Sequence, residues 1–301
     1  MSQTAPALTP APETPAPETP TQKRESVNWL AEIRGLAGML LAVLAFHSFI
    51  AKPFYIPSGS MLPGLWVGDH LVVNKFTYGW NWSSPSFHIL PRGDWRIWPR
   101  TPDYGDVVIV VPRGRNEDYI KRVVARPGDR IAVVNGQIVL NGRRVPQEML
   151  PSVQLPIDAM RSSEDPYPCD DWHIVHLPSG KEVCEVPALR ETMPNGATYT
   201  LLNYRENPET ETMAEVTVPA GHVFLMGDNR NNSADSRVSL ANNGLGGPVP
   251  LSDIGGRAEF LTYSLNGSAG WNPLTWIRDL RSGRAWRSLR PPLTPTVAQP
   301  H

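Results

Sequence analysis

The chain has 301 residues and a net charge of −1, from 28 basic and 29 acidic side chains. This balance gives no electrostatic support to nucleic-acid binding, so we predict no nucleic-acid partner. The 32 prolines and 24 glycines favour short strands and turns over a helical bundle, and the two cysteines are too few for a four-cysteine metal site.

The N-terminal segment, residues 1–28, is rich in proline and repeats the letters APETP. Such low-complexity sequence cannot bury a core, and we predict a disordered, cytoplasmic tail. Residues 29–52 follow as a predicted transmembrane helix, because no charged side chain occurs between Gly35 and Ala51. That run spans roughly 26 Å as a helix, close to the thickness of a hydrocarbon core. A buried soluble helix and a cleaved export signal are the alternatives.

Basic residues are more frequent before this apolar run than after it. Lys23, Arg24 and Arg34 precede the run, whereas Lys52 is the one that follows closely. Under the positive-inside rule this predicts a cytoplasmic N-terminus, with the chain beyond about residue 52 on the outer side of the membrane.

Beyond residue 52, short runs rich in valine and isoleucine are separated by Gly, Pro, Asn and Asp. The pattern predicts a mainly β fold, in which residues 53–134 and 218–264 form an antiparallel β domain and residues 135–217 an inserted, smaller β lobe. The letters VVNGQIV predict a hairpin with an Asn-Gly turn. Residues 265–301 are a Trp/Arg-rich tail, interpreted either as a short amphipathic helix on lipid headgroups or as a solvated tail.

Aromatic side chains are frequent in the stretch KFTYGWNW, shortly after the apolar run. They are Phe76, Tyr78, Trp80 and Trp82. Amphipathic rings favour the membrane interface, so we predict that this stretch rests on lipid and that membrane lipid is a partner.

The sequence patterns of common metal and hydrolase sites do not occur. His173 and His176 have no third ligand nearby. The segment GDNRNNSADSR fails the calcium-loop pattern, because Ser233 and Ser239 stand where Gly and Glu are required. No Gly-x-Ser-x-Gly elbow with a following acid and histidine is found. We therefore predict neither a metal nor a cofactor.

A serine without a histidine partner needs another base, and a lysine can act as one when burial lowers the pKa of its amine. Lys121 is the best candidate, since it lies in the apolar run DYIKRVV. Lys75 and Lys181 lie in polar or turn-like settings, and Lys23 and Lys52 flank the apolar helix. The pattern leaves open whether Lys121 is a base or a strand lysine that faces solvent.

Five segments, all after the apolar run, resemble in order the sequence boxes of bacterial type I signal peptidases (leader peptidases). They are PSGSMLP, GDVVIV, DYIKRVVARPGD, GDNRNNSADSR and GPVPLSDIGGRAEF, and the resemblance covers about residues 34–264. It implies a membrane-bound serine endopeptidase that removes signal peptides from exported preproteins with small-x-small cleavage sites. It also implies a catalytic domain on the periplasmic side of the bacterial inner membrane, near the secretion translocon, with no cofactor.

The resemblance assigns roles to individual side chains. Ser60 falls on the nucleophile and Lys121 on the general base of an acyl-enzyme mechanism. Ser58 and the Ser60 backbone N–H fall on the oxyanion hole, and Ser233 falls on the hydroxyl that orients the lysine. Five further residues fall on positions that support the site, and they are Asp228, Asn229, Arg230, Asp235 and Arg237.

Two alternatives stay open at the level of sequence. Cys169 and Cys184 either form one disulfide, if the domain is periplasmic, or remain free thiols. The same residues also suit a dedicated protease of this fold, which processes a single specialised secretion or conjugation substrate.

Overall fold

The computed structural model describes residues 28–85, 88–160, 169, 173–204, 207–268 and 275–294. Strands dominate these residues, and the pairings between the described strands are antiparallel, which confirms the predicted mainly β fold. The predicted proline-rich tail, residues 1–28, lies outside the described residues except for Asn28.

The apolar run forms one helix, α1, from Trp29 to Phe49. None of its side chains is buried, and its 21 residues span roughly 31 Å, about the thickness of a hydrocarbon core. It is the one helix in the described part of the chain that is long and apolar enough to cross a membrane. The helix ends before the predicted limit at residue 52, because Ala51 already begins a strand that contains Pro53.

The strands are numbered here in chain order. The first six are β1 (Ala51–Tyr55), β2 (Asp69–Asn74), β3 (Trp80–Asn81), β4 (Arg96–Ile97), β5 (Val107–Val110) and β6 (Tyr119–Ala125). The next eight are β7 (Arg130–Val134), β8 (Gln137–Leu140), β9 (Arg143–Arg144), β10 (Gln147–Pro156), β11 (Ile174–His176), β12 (Glu182–Thr192), β13 (Thr198–Leu201) and β14 (Met213–Thr217). The last three are β15 (His222–Met226), β16 (Val249–Pro250) and β17 (Ile254–Ser264), and the four-residue helix α2 (Pro208–Glu211) precedes β14.

The main sheet contains seven strands in the spatial order β1-β2-β17-β5-β6-β15-β16. Its inner strands β5 and β6 are buried on both faces except at Tyr119. This burial is expected for the continuous apolar sequence of β5, but in β6 it includes Lys121 and Arg122. Strand β2 lies nearer the edge and alternates, with Leu71 and Val73 buried and their neighbours half-exposed. The main sheet therefore keeps most of β6 away from water.

Strands β7 to β14 are inserted between β6 and β15, which pair with each other in the main sheet. They form two four-stranded sheets, one of β14-β7-β8-β9 and one of β10-β12-β11 with β13 paired to β12. These inserted strands run from Arg130 to Thr217 and so begin before residue 135, where the predicted lobe starts, because β7 also pairs within this group. The predicted Asn-Gly hairpin joins β7 to β8, with φ values of 51° at Asn135 and 74° at Gly136.

The lobe has its own buried cluster around the two cysteines. Cys169 is bonded to Cys184 of β12, and their Cα atoms are 5.5 Å apart. Leu155 and Val186 of the lobe and Leu62 of the β1–β2 connection pack in the same cluster. This cluster therefore attaches the lobe to the connection between the first two strands of the main sheet.

The C-terminal segment includes the short helix α3 (Trp276–Asp279) and continues as an irregular segment with two turns and isolated β-bridges. We call residues 280–294 the C-terminal strap. Its backbone bonds first to β17 and then to the lobe, where the Thr198 N–H donates to the Pro292 carbonyl at 2.9 Å. Neither a lipid-bound helix nor a solvated tail, the two alternatives predicted for this segment, describes the strap.

A buried ion pair anchors the strap in the main sheet. Arg284 is 4 % exposed and pairs with the fully buried carboxylate of Asp69, at the start of β2. The guanidinium of Arg284 also stacks on Trp66, with its central carbon 3.9 Å from the ring centroid. The strap is thus part of the folded domain.

The four rings of the aromatic stretch predicted to rest on lipid differ in their exposure in the structure. Tyr78 and Trp82 are each 3 % exposed, so the prediction is wrong for these two residues. Phe76 is 40 % exposed, and Trp80 stacks on Phe49 with ring centroids 5.0 Å apart. The sequence pattern did not separate rings that build the core from rings that face outward.

Candidate active site

The connection between β1 and β2, residues 56–68, carries Ser60. Ser60 lies in the single 3-10 turn Gly59–Met61 and is 8 % exposed. Asn229 holds this turn from a neighbouring segment, since its backbone N–H donates to the Ser60 carbonyl (3.0 Å) and its side-chain amide to the Gly59 carbonyl (3.1 Å). The position of Ser60 is therefore fixed through the main chain, and its hydroxyl interacts with other side chains.

Lys121 extends from β6 to this hydroxyl. The residue is 4 % exposed, and its Nζ donates a hydrogen bond to Ser60 Oγ at 2.9 Å. Nζ also lies 5.4 Å from the centroid of the Tyr119 ring. Burial of this kind disfavours an ammonium charge, and a neutral amine can accept the proton of a serine hydroxyl. We call Ser60 and Lys121 the dyad.

A second hydroxyl lies next to the dyad. Ser58 Oγ is 3.4 Å from Ser60 Oγ, and either oxygen can donate the hydrogen bond. Ser58 immediately precedes the 3-10 turn and has an extended backbone, with φ −131° and ψ 157°. A group bound at Ser60 therefore has a hydroxyl donor within reach.

Gly227 packs between Ser60 and Ser233 so closely that a side chain does not fit. A Cβ at this position would lie 2.5 Å from the Ser60 carbonyl oxygen and 2.2 Å from Ser233 Oγ. The Ser233 hydroxyl is buried and makes no hydrogen bond within the described part of the chain. Its predicted bond to Lys121 is not formed in this structure, and its role in orienting the lysine stays a prediction.

Asp228 pairs with the residue that follows Lys121. Arg122 donates from Nε and Nη2 to the two carboxylate oxygens of Asp228, each at 2.6 Å, and from Nη1 to the Gly105 carbonyl at 2.6 Å. Burial alone would disfavour the charge of Arg122, but Asp228 raises the pKa of Arg122 above its ordinary value. This bidentate pair connects β6 to the segment after β15 and so fixes the strand that carries Lys121.

Arg230 pairs with Glu191, a residue of the inserted lobe. Both side chains are buried, and Arg230 Nη1 donates to Glu191 Oε2 at 3.2 Å while its Nε donates to the Gly227 carbonyl at 3.2 Å. Burial would raise the pKa of Glu191, but the Arg230 guanidinium holds it below its ordinary value. Sequence reasoning missed Glu191. A buried arginine requires a carboxylate partner, and this requirement is the signal that could have pointed to Glu191. Glu191 lies 39 positions before Arg230 in the chain.

Asp235 and Arg237 pair with each other, with Nη2 and Oδ2 at 2.7 Å. Asp235 also accepts the Gly227 N–H at 2.9 Å, and Arg237 Nη1 donates to the Thr210 carbonyl of the lobe at 2.9 Å. Burial would raise the pKa of Asp235, but the Arg237 guanidinium lowers it below its ordinary value. The pair therefore fixes Gly227, which packs against the Ser60 main chain.

The residues predicted for the site thus occupy two layers. Ser58, Ser60 and Lys121 are in contact, and Asn229 bonds to the turn that contains Ser60. The charged residues form buried ion pairs around this group and connect β6, the segment after β15 and the lobe. A serine hydroxyl bonded to a buried lysine amine is the arrangement of a serine hydrolase that uses lysine as its base.

Comparisons with known proteins give a consistent result. Residues 29–263 match the sequence model of the family described as "Signal peptidase, peptidase S26". The signal peptidase I of Rickettsia typhi is 26 % identical over 276 residues, which cover 86 % of this chain and 93 % of the relative. That of Pseudomonas aeruginosa is 35 % identical over 208 residues, which cover 66 % of this chain and 59 % of the relative.

A solved signal peptidase I from Enterococcus faecalis is also similar, at 18 % identity over 52 % of this chain and 97 % of that chain, with a TM-score of 0.26. The family match spans more than half of the sequence. The chain therefore belongs to the signal peptidase family, peptidase S26, and is a serine endopeptidase of the signal peptidase I type. The resemblance predicted from the five sequence boxes is confirmed.

Proposed function

We propose that this chain removes N-terminal signal peptides from exported preproteins, with Ser60 as nucleophile and Lys121 as general base. The observation that carries the proposal is the 2.9 Å contact between Lys121 Nζ and Ser60 Oγ in buried surroundings. The substrate class is supported by the family match and by relatives named signal peptidase I.

In the acylation step, Ser60 Oγ attacks the carbonyl carbon of the scissile peptide bond while neutral Lys121 takes the hydroxyl proton. The bond between that carbon and the leaving nitrogen then breaks, and the Lys121 ammonium returns the proton to the leaving amine. The signal peptide remains attached to Ser60 as an ester. In the second step Lys121 deprotonates a water, which attacks the ester carbon. The bond to Ser60 Oγ breaks, the Lys121 ammonium returns the proton to Ser60 Oγ, and the signal peptide leaves with a new carboxylate.

The negative charge that develops on the carbonyl oxygen needs donors near Ser60. We assign this role to the Ser60 backbone N–H and to the Ser58 hydroxyl, which lies 3.4 Å from Ser60 Oγ. A donor of this kind contributes about 3 kcal/mol to the stability of the transition state. Ser233, buried beside Gly227, is assigned to orient the Lys121 amine once substrate is bound.

Apolar side chains next to the dyad support a preference for small residues before the cut. Ile56 and Met61 flank the Ser60 turn, Ile120 precedes Lys121, and all three belong to one buried cluster. Such a wall offers dispersion contacts to small apolar side chains and no partner for a charged one. We therefore propose preproteins with small-x-small cleavage sites as substrates.

The proposed setting is a single-pass protein of the bacterial inner membrane, anchored by α1, with a cytoplasmic N-terminus and a periplasmic catalytic domain near the translocon. Ser60 follows Phe49, the last residue of α1, by 11 residues, which span at most about 40 Å. The nucleophile therefore stays close to the membrane from which a signal peptide emerges. Exposed rings at Phe76, Trp95 and Trp98 suit contact with the lipid interface.

The test is cleavage of three unrelated preproteins in detergent by wild type, Ser60→Ala and Ser239→Ala. Ser239 is an exposed serine that caps a 3-10 turn, and its variant controls for the loss of a hydroxyl elsewhere. We expect Ser60→Ala to lose at least about 1,000-fold in kcat and Ser239→Ala to stay near wild type. A signal-peptide ester on Ser60, detected by mass spectrometry of a quenched reaction, is expected for wild type.

Efficient cleavage by Ser60→Ala would refute the assignment of the nucleophile. Cleavage of all three preproteins by wild type would indicate a general signal peptidase. Cleavage of one alone would instead favour the dedicated protease that the sequence left open.

A further inference from the structure

A groove of about 540 Å³ lies outside the dyad, at the junction of the main sheet, the lobe and the C-terminal strap. We call it the arginine groove, because five of its lining residues are arginines. They are Arg122, Arg190, Arg284, Arg287 and Arg290. Asp228 is the one carboxylate among the lining residues. The mechanism proposed above uses no part of this groove for binding.

The two inner arginines, Arg122 and Arg284, already donate hydrogen bonds to protein groups. Arg122 is bonded to Asp228 and the Gly105 carbonyl, and Arg284 to Asp69 and the Gly64 carbonyl. Their guanidinium groups therefore build the floor of the groove and have few donors for a ligand. A ligand must interact with the rim.

The rim carries three exposed arginines. Arg190 pairs with Glu148 at 3.2 Å and Arg290 with Glu259 at 2.8 Å, and the arginine side chains are 48 % and 61 % exposed, where such pairs are weak. Arg287 forms no ion pair with any of the described residues. The rim therefore has an excess of positive charge that is available to a ligand.

The groove begins close to the dyad. Residues 63–66 line it, and they start three residues after Ser60, within at most about 11 Å of extended chain. Neighbouring side chains on a strand point to opposite faces, so Arg122 places the groove on the face of β6 away from Lys121. The connection 56–68 passes from the dyad to the groove, because Leu62 packs in the lobe cluster and Gly64 lies against the Asp228 carboxylate.

Chain direction indicates which half of a substrate reaches the groove. Strand β1 leads from the end of α1 towards Ser60, and β2 returns antiparallel to it, with Ala51 opposite Asn74. Ser60 and residues 63–66 both lie in the connection at the end of this hairpin far from Ala51. Both α1 and the apolar part of a signal peptide are expected to lie in the membrane, so we assign the signal-peptide half of a substrate to the side of Ala51 and the half after the cut to the groove.

We propose that the arginine groove binds the first residues of the mature protein after the cut, from about the fourth onward, and favours acidic side chains there. The proposal rests on the proposed function, because it assumes cleavage of preproteins at Ser60. The apolar walls at Leu65, Leu155 and Leu289 accommodate the extended chain, and the rim arginines select its charge. Charge complementarity is thus the argument for this occupant.

The test uses three preproteins with the same signal peptide and cleavage site. Residues four to nine after the cut contain three Glu, three Gln or three Lys. Exposed pairs are individually weak, but three of them act together, so we expect kcat/KM of the acidic substrate to exceed that of the basic one by about tenfold at low salt. The ratio is taken within one enzyme preparation, so loss of folded enzyme cancels.

Arg287→Glu reverses the charge of the rim without breaking an ion pair among the described residues, and we expect it to lower the acidic-to-basic ratio at least about threefold. The matched control is Arg278→Glu, an equal charge change in α3 outside the groove, which should keep the wild-type ratio. A wild-type ratio near one, an unchanged ratio in Arg287→Glu, or an equal fall in both variants would overturn the proposal. Failure of wild type to cleave any of the three would instead refute the proposed function.

Cross-linking tests the position independently of charge. A photoreactive residue at the sixth position after the cut, bound to the Ser60→Ala protein, is expected to label residues 153–155 or 287–292. Labelling confined to other parts of the chain would contradict the groove as the binding site.

Discussion

Two lysines are buried in this domain, and their surroundings differ in one respect. Lys121 is 4 % exposed and Lys75 is 1 % exposed, and each amine lies near an aromatic ring, 5.4 Å from Tyr119 and 5.7 Å from Phe54. Lys121 Nζ bonds to the Ser60 hydroxyl at 2.9 Å, whereas Lys75 Nζ donates to the Ser83 carbonyl at 3.3 Å. A carbonyl oxygen has no proton to give. Burial can keep a lysine amine neutral, so that it can act as a base. The amine can activate a nucleophile only when a hydroxyl lies within hydrogen-bond distance of it.

The pKa of Lys75 shows how strongly these surroundings act on an amine. Burial, together with the nearby charge of Lys52, lowers the pKa of Lys75 from 10.5 to about 8, although Asp118 acts in the opposite direction. Among the described residues Lys75 has a backbone carbonyl at hydrogen-bond distance rather than a carboxylate. Lys75 is therefore the natural reference for experiments on Lys121.

The largest expected effect is the difference in cleavage activity between a variant of Lys121 and a variant of Lys75. Lys121→Met should lower kcat by at least about 1,000-fold, because it removes the proposed general base while keeping the volume of the side chain. Lys75→Met should stay within about threefold of wild type. Preprotein cleavage under single-turnover conditions measures both, and similar losses in the two variants would show that the comparison is wrong.

A smaller effect is expected at the hydroxyl beside the dyad. Ser58→Ala should lower kcat by about 100-fold and change KM little, because the donor acts on charge that develops in the transition state. Steady-state kinetics with one preprotein separate the two parameters. An increase in KM at unchanged kcat would assign Ser58 to substrate binding instead.

The smallest expected effect concerns stability and its dependence on pH. Lys75 has a lower pKa in the folded than in the unfolded chain, so between about pH 8 and 10.5 this residue binds more protons in the unfolded chain, and the contribution of Lys75 to the free energy of unfolding rises with pH. At pH 7 the buried charge costs about 3 kcal/mol. Lys75→Met should therefore stabilise the protein more at pH 7 than at pH 10.

Denaturant unfolding in detergent at both pH values measures this difference. Lys181→Met is the matched control, because Lys181 is exposed and its replacement should have the same effect at both pH values. Equal stabilisation by Lys75→Met at pH 7 and pH 10 would contradict a lowered pKa for Lys75.

The two lysines also show where sequence reasoning succeeds and where it fails. The apolar residues before and after Lys121 predict a buried strand, which is a local property, whereas its role as a base is implied by the family resemblance alone. Lys75 was assigned to a polar setting because its neighbours in the chain are polar. Its burial comes from residues outside its own strand, since the Ser83 carbonyl accepts a hydrogen bond from Nζ and Gly255 of β17 lies beside Nζ. Such long-range packing has no local sequence signal.

The same distinction applies to the fold. The mainly β class, the apolar helix and the Asn-Gly hairpin follow from periodicity and turn chemistry, and they were predicted. The C-terminal strap was not, because its Trp/Arg-rich sequence has no strand pattern and its order depends on the buried partner Asp69. Glu191 was missed for a related reason, since its partner Arg230 belongs to another sheet region. An ion pair between distant segments depends on the charges of the two side chains and on the fold that brings them together. A single sequence shows the charges but not which distant segments meet.

The order of strands in the main sheet determines how much of the chain must be synthesised before the dyad can assemble. The β1-β2 hairpin bears Ser60 and the β5-β6 hairpin bears Lys121, and within the sheet they are joined through β17, the last strand of the chain. A polypeptide that ends before Ile254 lacks the strand that joins the two hairpins. We therefore expect Ser60 and Lys121 to come together only after β17 has been synthesised.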